Sequence, residues 1–301
     1  MVTETYLPGL AALLQSIDER GGGLAGLRVV VVSAEPIADR HRRAFDDTFA
    51  IRNCTLVWQG LGDRSLDASK SLAGEDGSRF STALQKLAIF GIDEPTVLFL
   101  DADLLCLSRI PTDQSAVRNG ELVAARDWGF HEPEQIAGEP MVNTGVFFVR
   151  PSPALFVSLL NYYTEDPARF RRLGDQVGLN TFFRTSDDRS VRLLSDRWNV
   201  LKRRELSDRS AIDDAIFLHF VGRKPWETPR RSDWREWGYG RLDRLWWDFF
   251  ERSGLRSRIA VPSKRWRGPL AGGFGRFAAR SLLSVESLRS RWHPNREQES
   301  A

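Results

Sequence analysis

Cysteine is scarce in this chain of 301 residues: Cys54 and Cys106 are the only two, each in an apolar, strand-like run. They read as buried thiols rather than a disulfide, and nothing resembles a cysteine metal site. Long apolar runs are lacking too, since no stretch approaches the ~20 apolar residues of a membrane-spanning helix. The N-terminus has neither the charged start nor the apolar core of a secretory leader, so a cytoplasmic protein is expected. Tyrosine is rare, with four in all and none beyond Tyr239. There is no internal repeat and no long low-complexity tract.

What is present is an ordinary globular balance, 42% hydrophobic and 28% charged. The length suits one large α/β domain with an appendage. The net charge of +3 conceals an asymmetry: from Arg252 onward 11 Lys/Arg face 3 Asp/Glu, a net of +8, so the preceding residues carry −5. A mildly acidic body is followed by a basic tail rich in Trp and Phe.

Apolar patterning predicts a helix over 6–17, a break at GGGLAG, and a buried strand over 27–34. A helix over 37–48 and a strand over 54–59 follow, then a polar loop or lid over 60–77 and a helix over 79–91. Further strands are expected at 97–100, 121–127, 142–150 and 215–221, with a helix from Pro153. Alternating strands and helices imply a mostly parallel sheet flanked by helices, with ligands beyond the carboxyl ends of its strands. The run VLFLDADLLCL ends an apolar strand in two acids, Asp101 and Asp103, separated by Ala102. A continued extension would point both the same way. Asp127 and His219 stand at similar edges. Two carboxylates and an imidazole suit Mn²⁺ or Mg²⁺. The bland alternative is a solvated turn.

Four motifs in order carry a resemblance: FSTALQKLAIFGIDEPTVLFLDADLLCL, MVNTGVFFVRPS, GDQVGLNTFF and LHFVGRKPW. Together they resemble the glycogenin-like branch of family 8 glycosyltransferases, from about Tyr6 to Trp226. The resemblance implies a GT-A fold over 1–228, a basic helical extension over 229–301, Mn²⁺ (or Mg²⁺), and a UDP-sugar donor. It implies retaining transfer of a hexose, glucose or galactose, to an acceptor hydroxyl on a glycan or a lipid-linked carrier. By position it assigns Asp101, Asp103 and His219 to the metal. Thr3, Tyr6, Lys86, Ala102, Gly222 and Lys224 go with the two aspartates to the donor nucleotide. Asp127, Asn143, Asp175 and Gln176 go to the reaction centre. On the residues alone, Asp175 also reads as a helix N-cap after Gly174.

The chain departs from the family pattern in GRKPW, one residue shorter than usual between Gly and Lys, which leaves Arg223 to share the task of Lys224. Its first strand is nearly absent. The strand ending in Asp-x-Asp also resembles the first motif of haloacid-dehalogenase-type phosphatases, with Asp101 as nucleophile. Leu105 and the long preceding segment weigh against it. A sugar-nucleotide-binding protein without turnover is a further alternative. In the tail, Phe274, Phe277, Ala278, Leu282, Val285, Leu288 and Trp292 share one face of an expected basic helix. That face packs on the body, the reading favoured here, or rests on an anionic membrane at the cytoplasmic surface. No nucleic-acid-binding pattern directs the basic excess.

Overall fold

The computed structural model describes residues 2–33, 36–60, 85–111, 116–129, 131–136, 138–227, 234–261, 277 and 279–281. The expected α/β architecture is what it shows. Helix α1, Leu7–Ser16, carries Pro8 in its first turn and is buried throughout. A wider turn over Ile17–Gly21 continues it and ends at Gly22, whose φ of +115° favours glycine. Strand β1 (Arg28–Ser33), helix α2 (Asp39–Ala50) and strand β2 (Thr55–Gly60) form a βαβ unit, paired in parallel from Arg28↔Thr55 to Ser33↔Gly60. Val2 adds a single parallel bridge to Ser33, all that the described residues hold of a first strand.

The apolar run 97–107 is two strands in two sheets. Strand β3 is Val97–Leu100 and β4 is Leu104–Cys106, with the acids in the turn between. β5 (Glu121–Arg126) leads through a small hairpin, β6 (Gln135–Ile136) and β7 (Glu139–Pro140), into β8 (Val142–Val149). With β9 (Ser190–Leu193) these make a sheet of order β3-β8-β5-β9. Within it β5–β9 is parallel, while β8 runs antiparallel to both neighbours. β10 (Val200–Leu201), β11 (Phe217–His219) and β4 form another sheet.

β8 is buried at all eight positions because both of its faces are covered. Val146 and Phe148 join one hydrophobic cluster; Phe147 and Val149 join the other. β5 divides the same way, Val123 and Ala125 against Leu122 and Ala124. Helix α3 (Pro153–Glu165) starts where the Ser152 hydroxyl accepts the Leu155 N–H at 3.1 Å. Helix α4 runs Pro167–Phe182, so Asp175 lies inside it and is not its N-cap. The last long helix, α5 (Gly240–Arg252), packs on α1 in the first cluster through Leu242, Trp246, Trp247 and Phe250. In place of a helix over 79–91, the described part is a tight helical turn, Gln85–Gly91. Residues 61–84, which include the expected loop, lie outside the described residues.

Candidate functional site

The DAD turn is pinned from three sides. The Asp101 N–H donates to the Gly145 carbonyl on β8 at 2.8 Å, and the Phe220 N–H after β11 donates to the Asp103 carbonyl at 2.9 Å. Helix α1 presses on the turn at Gly9, where an added Cβ would lie 2.3 Å from the Ala102 oxygen. The turn, not a continued extension, brings the two carboxylates together. Asp101, Asp103 and His219 each offer a ligand atom within 4.8 Å of the others, and Asp103 and His219 are buried.

This set fits a divalent ion. His219 Nε2 is 3.3 Å from Asp103 Oδ1; adjacent ligands on an ion with bonds of about 2.1 Å stand about 3 Å apart. Two hard oxygens with one imidazole match Mn²⁺ or Mg²⁺ in donor type. The charges agree. Four carboxylates, Asp101, Asp103, Asp127 and Asp175, face three permanent cations, Lys86, Lys224 and Arg203.

Lys86 comes from the helical turn before β3. Its ammonium donates to Asp175 at 2.9 Å, to Asp101 at 3.4 Å and to the Thr144 carbonyl at 3.1 Å. Burial opposes its charge, but Asp101 and Asp175 overcome that and raise its pKa. Lys224 ion-pairs with Asp103 and donates to the Phe220 carbonyl at 3.0 Å. Its pKa is also raised, Asp103 outweighing burial. For Asp103, burial pushes upward, and His219 and Lys224 pull the carboxyl well below its ordinary range. Gly222, with φ of +73°, makes the turn that returns Lys224 toward Asp103. Tyr6 stands nearby, its ring 5.8 Å from the Lys224 ammonium and edge-on to Trp226 at 5.7 Å.

A second cluster adjoins the first. Asp127, at the end of β5, is buried and accepts from Gln176 Nε2 at 2.7 Å, Asn143 Nδ2 at 3.3 Å and Arg203 at 3.0 Å. Gln176 Oε1 receives the Thr144 N–H at 3.4 Å, and the Thr144 hydroxyl meets Asp175 at 3.2 Å. The Tyr163 hydroxyl donates to the Asp175 carbonyl at 3.0 Å. Of the residues marked from sequence, twelve join these two clusters or the turns that build them. Thr3 does not: its hydroxyl meets that of Thr5 at 2.9 Å on the surface.

Arg223, expected to share the task of Lys224, does not join it at Asp103. It turns to Glu236 at 2.8 Å and to Asp243 on α5. Sequence reasoning missed Thr144, Asn199 and Arg203. Thr144 lies inside the motif NTG and was within reach; Asn199 and Arg203 carry no local mark.

No family model and no curated protein sequence matches this chain. Solved structures do. The chain is similar to the galactosyltransferase LgtC, solved in complex with donor and acceptor sugar analogs, at a TM-score of 0.61 and 17% identity, covering 85% of this chain and 97% of that one. It is similar to the bifunctional glycosyltransferase WbbM at 0.59 and 14%, over 86% of this chain and 50% of that one. Against the glycosyltransferase GlyE of Streptococcus pneumoniae TIGR4 the values are 0.54 and 19%, over 85% and 62%. Identities this low speak to the fold, and the fold is that of the GT-A glycosyltransferases.

Proposed function

We propose that this protein is a retaining glycosyltransferase that moves a hexose from a UDP-sugar to an acceptor hydroxyl in a Mn²⁺-dependent reaction. The observation that carries the reading is the convergence of Asp101, Asp103 and His219 within 4.8 Å, beside the Asp127–Gln176–Asn143 cluster. Asp101, Asp103 and His219 would hold the ion. Bound there, it would supply charge to stabilise the departing diphosphate. Lys224, with its raised pKa, adds a fixed ammonium on the same side. Asp127, Asn143 and Gln176 orient the transferred sugar through hydrogen bonds fixed before it arrives. Lys86 holds Asp175 and Asp101 in place. Tyr6, backed edge-on by the buried Trp226, supplies an aromatic face for the nucleoside base.

Calorimetry of UDP binding with Mn²⁺, with EDTA, and in Asp103→Asn tests the reading. Binding is expected only with both the metal and Asp103. Release of UDP from a panel of UDP-sugars then separates a transferase from a protein that only binds the donor. Phosphate release from generic phosphoesters without UDP binding would favour the phosphatase instead.

A membrane-facing acceptor is a further part of this reading, and it rests on the basic tail of the sequence. Only residues 277 and 279–281 of the expected tail helix lie among the described residues. There Ala279 is buried in the main hydrophobic cluster and Arg280 donates to the Glu205 carbonyl at 3.2 Å, so this turn touches the body, while Phe277 is 70% exposed. The exposed Phe277, in a segment rich in arginine, is suited to an anionic lipid surface, and hence to a lipid-linked acceptor. Cosedimentation with phosphatidylserine-containing vesicles should fall when the chain is cut near Pro262; equal binding of both forms would rule the contact out. No helix among the described residues is long and apolar enough to cross a membrane.

A further inference from the structure

Asn199, fully buried just before β10, belongs to no motif yet touches both halves of the site. Its hydrogen bonds can be assigned without ambiguity, because the chain of contacts starts at a backbone group. The Gly145 N–H can only donate, and it meets Asn143 Oδ1 at 2.9 Å. That fixes the Asn143 amide, with its nitrogen turned to Asp127. The atom of Asn199 that lies 2.8 Å from Asn143 Oδ1 must therefore be its Nδ2 donor. Its oxygen is then the group 3.1 Å from His219 Nδ1. An oxygen there requires a proton on Nδ1, so in the neutral imidazole the lone pair is on Nε2, the nitrogen that faces Asp103.

We propose that Asn199 is the positioning residue that makes His219 a metal ligand and couples it to the sugar-holding pair Asn143–Asp127. It acts through its two neighbours, accepting from one and donating to the other. The inference rests on the metal site proposed above. Ligating histidines commonly need such a partner on their second nitrogen. Here the partner is an amide, which also passes the orientation onward: His219 donates to Asn199, Asn199 to Asn143, Asn143 to Asp127. A single orientation of four side chains satisfies the series, so ion binding at one end and sugar alignment at the other are set together.

Two variants separate the two bonds. Asn199→Asp keeps an acceptor for the His219 Nδ1–H and loses the donor to Asn143. Asn199→Leu loses both. With the full-length protein, Mn²⁺ affinity is read by the free-ion signal in electron paramagnetic resonance. Asn199→Leu should weaken it about 10–100-fold, whereas Asn199→Asp should stay within about threefold. UDP release should fall in both. Wild-type Mn²⁺ affinity in Asn199→Leu, or equal losses in the two variants, would overturn the proposal. A measurement on the unmutated chain guards against variants that do not fold. The ¹⁵N shifts of the His219 ring, assigned with His219→Ala in the metal-free protein above pH 8, should report the Nδ1–H tautomer. An Nε2–H tautomer would overturn it. Absence of Mn²⁺ binding in the wild type would defeat the metal site itself, and the tautomer would still decide whether Asn199 orients His219.

Discussion

Lys202, Arg203 and Arg204 follow one another and serve three different partners. Lys202 donates to Glu236 at 3.0 Å, Arg203 to Asp127 at 3.0 Å, and Arg204 to Asp208 at 2.6 Å while stacking over Trp128. In sequence they are three adjacent positive charges with nothing to rank them. Arg203 supplies the countercharge that a buried carboxylate needs. Arg203→Met is therefore expected to lower kcat for UDP release about tenfold or more, through Asp127 and Gln176, with UDP affinity little changed. Parallel loss of both in a kinetic and calorimetric comparison would mean general disorder instead. The thiols make a simpler case. Burial pushes Cys106 up to about 12 from an ordinary 9, so the folded chain keeps a proton that the unfolded chain releases. Its contribution to stability is whole below the ordinary thiol range and fades as pH climbs from there toward 12. At pH 8 native protein should resist iodoacetamide at Cys54 and Cys106, both reacting once urea unfolds it, as mass spectrometry would show. Asp101, Asp103, Asn143 and Gln176 were legible because their neighbours form ordered motifs. Asn199 and Arg203 were not, since each meets its partner across 56 and 76 residues of chain.

Among the elements, β8 carries the most demands. It fills both hydrophobic clusters and, at Asn143–Thr144–Gly145, borders both halves of the site. A Cβ at residue 145 would sit 2.2 Å from His219 Cε1. Gly145→Ala should displace the imidazole and lower Mn²⁺ affinity at least about tenfold, measured by calorimetry, with UDP affinity in Mn²⁺ falling alongside. Strands were the most readable elements, because burial on both faces writes a continuous apolar run. The same run hid its second strand: Asp101 and Asp103 mark the end of the first, but nothing in Leu104–Cys106 says that it joins another sheet. The start of α4 was misplaced for a different reason. Pro167 opens the helix, since proline belongs in the first turn, and Gly174 lies inside it, since glycine is tolerated within a helix.

At the scale of the molecule, the segment 234–261 is bound into the body. Arg223, beside Lys224, is held by Glu236 and by Asp243 of α5, while Lys202 shares Glu236. Trp226 lies 5.0 Å from Trp246, which stacks on Phe250 at 5.2 Å. Trp246→Ala should destabilise the protein by about 3–5 kcal/mol in urea unfolding, since a large buried ring leaves a cavity behind. Loss of UDP affinity at low urea, before the main transition, would show that the cluster also steadies the Lys224 turn.

The pairing of α1 with α5 has a consequence for how the protein is made. Leu7, Leu10 and Leu14 leave the ribosome well before part of their cover, which is encoded more than 220 residues later, at Trp246 and Phe250. Contacts of such separation close slowly. At roughly 5–20 residues per second the first helix would wait on the order of ten seconds or more for the last. Throughout that interval α1, which also buttresses the DAD turn through Gly9, lacks its complete packing. Nascent chains therefore offer an apolar helix to chaperones, and the proposed metal-dependent donor binding should arise only when synthesis has passed α5.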